Sequence, residues 1–206
     1  MHSKDMKTAG KSIQQADKAL ILIHGRGGSA EDILRLAPML AVQNFALFAP
    51  KAANRTWYPY SFMAPREQNE PWLSAALTTL ENLVEDIIAE GIAPEGIYFL
   101  GFSQGACLTL EFVASFARRY GGVVAFTGGL IGEALEAQRY KGDLKGTPIL
   151  ITTGEPDPHV PLQRVKESDT ILKSMNASVS LKVYPNRPHT ISHEEFHLAN
   201  QQIFQQ

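Results

Sequence analysis

Ile97-Tyr98-Phe99-Leu100-Gly101-Phe102-Ser103-Gln104-Gly105 carries an apolar run directly into the start of a helical pattern, with a serine at the junction. Glycines two residues to either side of Ser103 let a strand and the helix after it pass close together. Such an elbow holds its serine in a strained turn with the hydroxyl exposed above the sheet, where it can act as a nucleophile. A sharp strand-to-helix turn also implies a chain in which the two element types alternate.

The flanking sequence alternates in that way. Short apolar runs at 19–23, 45–49, 97–101, 123–127, 149–153 and 179–184 read as strands. Most are apolar on both faces, as a parallel sheet covered by helices requires. Helical spacing fills the stretches between them at 31–41, 72–90, 104–119, 162–175 and 193–204. The expectation is an α/β fold with a mostly parallel central sheet, helices on both faces and no large lid domain. Ser29 is placed to cap the first helix, Gly91 and Pro94 close the second, and Gly121-Gly122 follows the third. Residues 1–15 read as a polar N-terminal tail and 16–206 as one domain.

With 206 residues the chain can bury about 70% of its unfolded surface in a single core. A net charge of -2, with scattered lysines and arginines, offers no stripe for nucleic acid and no polybasic segment for anionic lipid. The one cysteine, Cys107, excludes an internal disulfide and reads as a small buried residue rather than a reactive thiol. No apolar run approaches a membrane span, and His2 excludes a myristoylation signal. The first residues lack the apolar centre of a signal peptide, so cytoplasmic residence is the expectation. Oligomeric state stays open, a homodimer included.

A serine nucleophile needs a base, and the base needs a group that fixes its tautomer. His24 lies too early for the order serine, acid, histidine that this elbow carries. His189 follows the last strand by a short turn and is the expected base, with His159, His193 and His197 as rivals. Asp157, directly after the strand at 149–153, is the expected acid, with Glu155 as alternative. Backbone N–H groups of Gln104, at a helix start, and Arg26, in His24-Gly25-Arg26-Gly27-Gly28, would face the oxyanion, with Gly27 close behind Arg26. That glycine-rich loop lacks the spacing of a nucleotide-binding loop. Two aperiodic segments, 51–70 and 128–147, are the candidate walls of a site beyond the strand ends. Trp57, Tyr58 and Phe62 from the first, Leu130 from the second, and Val160 are the expected substrate contacts.

Together these motifs resemble the phospholipase/carboxylesterase family of α/β-hydrolases, which includes acyl-protein thioesterases and bacterial carboxylesterases. The marks are His-Gly-x-Gly-Gly from His24, Gly-Phe-Ser-Gln-Gly at the elbow, Gly-x-x-Asp-x-x-Val-Pro at 154–161, and Pro188-His189-Thr190-Ile191. Pro188 stands where many relatives carry glycine. The resemblance implies an α/β-hydrolase fold and hydrolysis of small acyl esters or thioesters through Ser103, Asp157 and His189, with no metal or cofactor. It places Trp57-Tyr58-Pro59 near the acyl site.

Two other readings compete. His193-Glu194-Glu195-Phe196-His197 satisfies the zinc-hydrolase pattern H-E-x-x-H, but residues 198–206 supply no third ligand. Ser192 with Glu195 three residues on reads more simply as a capping box. The other is a non-catalytic scaffold used for binding.

Overall fold

The computed structural model describes residues 5–205; residues 1–4, His2 among them, and residue 206 lie outside it. Among the described residues the strands form a seven-stranded sheet in the order β1-β3-β2-β4-β5-β6-β7. These are β1 (Met6–Gly10), β2 (Lys18–Ile23), β3 (Phe45–Pro50), β4 (Ile97–Phe102), β5 (Gly122–Phe126), β6 (Pro148–Glu155) and β7 (Ser178–Pro185). All neighbouring pairs are parallel except β1 with β3.

Strand β1 corrects the expected tail. Met6 pairs with Pro50 and Gly10 with Ala46, so these residues form the antiparallel edge of the sheet. Four of the five are solvent-exposed, which is why the stretch carries no apolar signature. An edge strand needs only its backbone donors and acceptors to pair.

Successive side chains of the central strands enter opposite layers. Ile21, Phe99, Val123 and Ile149 pack under α2 (Trp72–Ala89), α3 (Gln104–Ser115) and α4 (Leu162–Ser174). Leu20, Leu22, Leu100, Val124 and Leu150 pack under α1 (Ala30–Leu34) and α5 (His193–Ala199). Ser29 caps α1, its hydroxyl accepting from Asp32 N–H at 3.1 Å.

Helix ends differ from expectation where the chain must turn. Helix α1 stops at Leu34 and a 3₁₀ turn follows at Ala37–Met39; Pro38 lacks an N–H and its ring clashes with the carbonyl four residues back. Helix α3 stops at Ser115 rather than 119, because Tyr120 turns inward to pack edge-on against Phe99 at 5.1 Å. The last turn, Asn200–Phe204, is wound as a π-helix. In 128–147 the regular structure is one 3₁₀ turn, Ala137–Arg139, and no large lid is formed. No helix among the described residues is long and apolar enough to cross a membrane.

Candidate active site

Ser103 sits between β4 and α3 with φ 56° and ψ -119°, a backbone that L-residues rarely adopt. Two close approaches maintain it. A Cβ at Gly101 would lie 2.4 Å from Gly105 O, and one at Gly105 would lie 2.0 Å from Ile23 O. The start of α3 is therefore pressed directly on the end of β2, which only glycine permits. Ser103 N–H donates to Phe126 O at 3.0 Å and ties the elbow to β5.

The loop after β7 brings His189 over the elbow. His189 Nε2 lies 2.9 Å from Ser103 Oγ, and His189 Nδ1 lies 2.8 Å from Asp157 Oδ2. The other carboxylate oxygen of Asp157 accepts from His159 N–H at 2.8 Å and Val160 N–H at 2.9 Å. Burial alone would raise the Asp157 carboxyl, but the hydrogen bonds from His189, His159 and Val160 outweigh it and hold the group below its ordinary value. An ionised carboxylate only accepts, so His189 Nδ1 carries its proton toward Asp157 and Nε2 is left to accept from the serine hydroxyl.

Among the rivals, Glu155 is exposed at the end of β6, and His159 packs edge-on against the His189 ring at 4.9 Å. His193 and His197 lie on the exposed face of α5, while Glu195 between them points inward. Ser192 N–H donates to Glu195 Oε2 at 2.8 Å, the reciprocal arm of the expected capping box. Among the described residues no group of three His, Cys, Asp or Glu side chains is placed to share a metal ion.

Of the two expected oxyanion donors, Gln104 directly follows the serine and Arg26 lines the same cavity as Ser103. Gln104 N–H is the first of α3 and has no acceptor within the helix. Gly27 N–H, the alternative donor of that loop, is engaged by Arg55 O at 2.8 Å. Side chains brace the arrangement. Gln104 Oε1 accepts from Trp57 N–H at 3.0 Å and its Nε2 donates to Tyr58 O at 2.9 Å. The Arg26 guanidinium donates to the carbonyls of Tyr58, Pro59 and Tyr60.

A cavity of about 460 Å³ opens at Ser103, with Tyr58, Phe62, Cys107 and Val160 in its walls. Two expected contacts stand behind those walls instead. Trp57 is wholly buried because its indole N–H donates to His24 O at 2.8 Å and its ring lies on that of His24. Leu130 is wholly buried too, held by Ser168 Oγ and Arg164. Burial pushes the Cys107 thiol up to about 12, so it remains a protonated wall residue.

Two residues of this architecture escaped the sequence reading. Glu111, fully buried on α3, accepts from Arg66 at 2.6 Å, Arg139 at 3.1 Å, Tyr140 OH at 2.9 Å and Ile131 N–H at 3.0 Å. It thereby anchors both aperiodic segments to the helix that begins at the nucleophile. Its signal was an acid inside the otherwise apolar run Leu108–Val113, interrupted besides only by Thr109. Arg187, buried beside His189, donates to Thr127 Oγ1 at 2.9 Å and to the carbonyls of Pro188 and Thr190. Its Nε lies 3.5 Å from the fully buried Glu195. Nothing in the local sequence separates Arg187 from ordinary surface charge.

The sequence profile of the phospholipase/carboxylesterase family matches residues 6–205. A crystal structure of a phospholipase/carboxylesterase from Dyadobacter fermentans is 56% identical, covers 98% of this chain and 97% of that one, and superposes with a TM-score of 0.97. A probable SOBER1-like carboxylesterase of Arabidopsis thaliana is 29% identical across 74% of this chain and 57% of its own length. An acyl-protein thioesterase 1 of Gibberella zeae is 30% identical across 63% of this chain and 56% of its own length. The matched part thus spans little more than half of these two curated relatives.

Proposed function

The chain belongs to the phospholipase/carboxylesterase family, and on that premise we propose that it is a serine hydrolase of carboxylic esters or thioesters, with Ser103, His189 and Asp157 as its catalytic residues. The observation that carries the reading is the relay Ser103 Oγ to His189 Nε2 at 2.9 Å and His189 Nδ1 to Asp157 Oδ2 at 2.8 Å. It stands at the mouth of a cavity that Arg26 and Gln104 also line.

In this mechanism Ser103 Oγ attacks the acyl carbonyl as its proton passes to His189 Nε2. The oxygen that becomes negative lies between Arg26 N–H and Gln104 N–H. His189 returns the proton to the leaving alcohol or thiol, and Asp157 stabilises the imidazolium that exists in between. Water then attacks the acyl-enzyme with His189 again as base, and Ser103 is restored.

The test is turnover of a p-nitrophenyl acyl series, with and without a chelator, combined with a fluorophosphonate probe and peptide mapping. We expect chelator-resistant turnover and label on Ser103. Label elsewhere, or turnover that a chelator abolishes, overturns the reading.

The pH dependence of stability follows from the Asp157 carboxylate. The Asp157 carboxyl, ordinarily near 3.8, is held lower in the folded chain. Its stabilising contribution is therefore complete above the unfolded value and is lost only as pH falls through the folded one. The part of stability that Asp157 contributes should accordingly be lost only as pH falls through the region below its ordinary value of 3.8, and Asp157→Asn should lack that acid-side loss. Tm measured from about pH 7 down to about pH 3 checks it, and a Tm that falls equally in both proteins would sink the assignment.

A further inference from the structure

A second concavity of about 430 Å³ begins on the other side of His189. It shares Arg26 and His189 with the first, but Ser103, Gln104 and Cys107 line only the first. Its walls are chiefly apolar: Ile33, Leu36 and Met39 from the α1 region, Phe102 beneath His189, and Ile191 and Phe196 beyond it. Asp32 stands at its rim among the exposed Arg35 and Arg55. An apolar trough with a polar mouth, continuous with a reaction centre, has the form of a ligand subsite.

The direction of proton transfer decides which half of a substrate each cavity takes. His189 Nε2 delivers its proton to the leaving atom, so the leaving group departs on the histidine side of the carbonyl. The cavity beneath Ser103 and the start of α3 is left for the acyl chain. Resting on the serine-hydrolase reading above, we propose that the trough formed by Ile33, Leu36, Met39, Phe102, Ile191 and Phe196 is a leaving-group subsite selecting esters of uncharged alkyl alcohols or thiols. The enzyme then reads both halves of its substrate, and its specificity rests as much on the alcohol as on the acid.

The experiment holds the acyl group fixed as butyrate and lengthens the alcohol from ethyl to hexyl. These alcohols are nearly equal as leaving groups, so any trend in kcat/KM, which reports acylation, reflects binding in the transition state. Burying each methylene should raise kcat/KM roughly three- to fourfold, on the order of 100-fold from ethyl to hexyl. Leu36→Trp and Met39→Trp, which fill the trough at two part-exposed positions, should each lower the hexyl-to-ethyl ratio at least about tenfold. The hexanoate-to-acetate ratio of ethyl esters should keep its wild-type value in both. A flat alcohol series, or a hexyl-to-ethyl ratio unmoved in either variant, overturns the subsite. If ethyl butyrate turnover is still abolished in Ser103→Ala, such a result leaves the hydrolase reading standing. No turnover of any ester removes both.

Discussion

Ser103→Ala lowers kcat/KM toward acyl esters by about 10⁴- to 10⁶-fold while leaving the protein folded. The size follows from the way the three side chains act as a unit. Without the serine there is no acyl-enzyme, and what persists is binding and oxyanion stabilisation of direct attack by water. The substitution keeps a Cβ at a residue whose φ is 56°, so the strain of the elbow and the Phe126 tether are those of the parent chain. Thermal unfolding should shift by no more than a few degrees. Adding His189→Ala to Ser103→Ala should cost little more, because a general base without its nucleophile has nothing to activate. Hydrolysis measured with and without the substitution, alongside circular dichroism, checks both halves. Turnover retained within tenfold of wild type would move the nucleophile elsewhere.

Glu111→Ala has the largest expected effect on stability. It removes a carboxylate that is wholly buried and strands its partners, of which Arg66 and Arg139 keep 25% and 29% of their side-chain surface in solvent. Partial hydration of those two tempers the loss. Tyr140 OH and Ile131 N–H lose an acceptor as well. Breaking one side of a buried ion pair costs about 3 kcal/mol here, a fall of roughly 6–12 °C in Tm. Glu111→Gln keeps the shape and one acceptor oxygen and should lose less. Both variants should raise KM before they unfold, since Arg66 belongs to the segment that supplies Tyr58 and Phe62. Scanning calorimetry and Michaelis kinetics at the same temperature separate the two effects. A Glu111→Ala protein that unfolds within about 2 °C of wild type would show that the loops are anchored by something else.

The central strands were legible because helices cover both of their faces, which leaves continuous apolar runs such as Ile97–Leu100. Strand β1 was not, because an edge with four exposed residues has no hydrophobic demand to meet. The elbow, Asp157 and His189 were readable from order and spacing, each directly following a strand that could be recognised. The walls were not. Trp57 and Tyr58 are adjacent, equally aromatic and equally buried, and contacts with His24, distant in the chain, hold Trp57 behind the wall that Tyr58 forms. That Gly27 N–H is engaged likewise depended on a contact 28 residues distant in the chain, its bond to Arg55 O. Glu111 and Arg187 are bound by partners far away in sequence, and no local pattern announces such bonds.

The contact of Gly105 with Ile23 O has a consequence for mutational tolerance. In the mechanism proposed above both oxyanion donors are main-chain groups, one at the start of α3 and one in the loop after β2, and these are the elements that meet at Gly105. The information that specifies the hole therefore resides in residues that donate nothing to it. In a library varied at every position of the site, the N–H at Arg26 survives any side chain except proline. Gly101 and Gly105 admit no Cβ without forcing the strand end and the helix apart. Divergence of this site is thus free to rewrite its visible walls and is most tightly confined at Gly101 and Gly105, where an added Cβ would strike backbone at 2.4 and 2.0 Å.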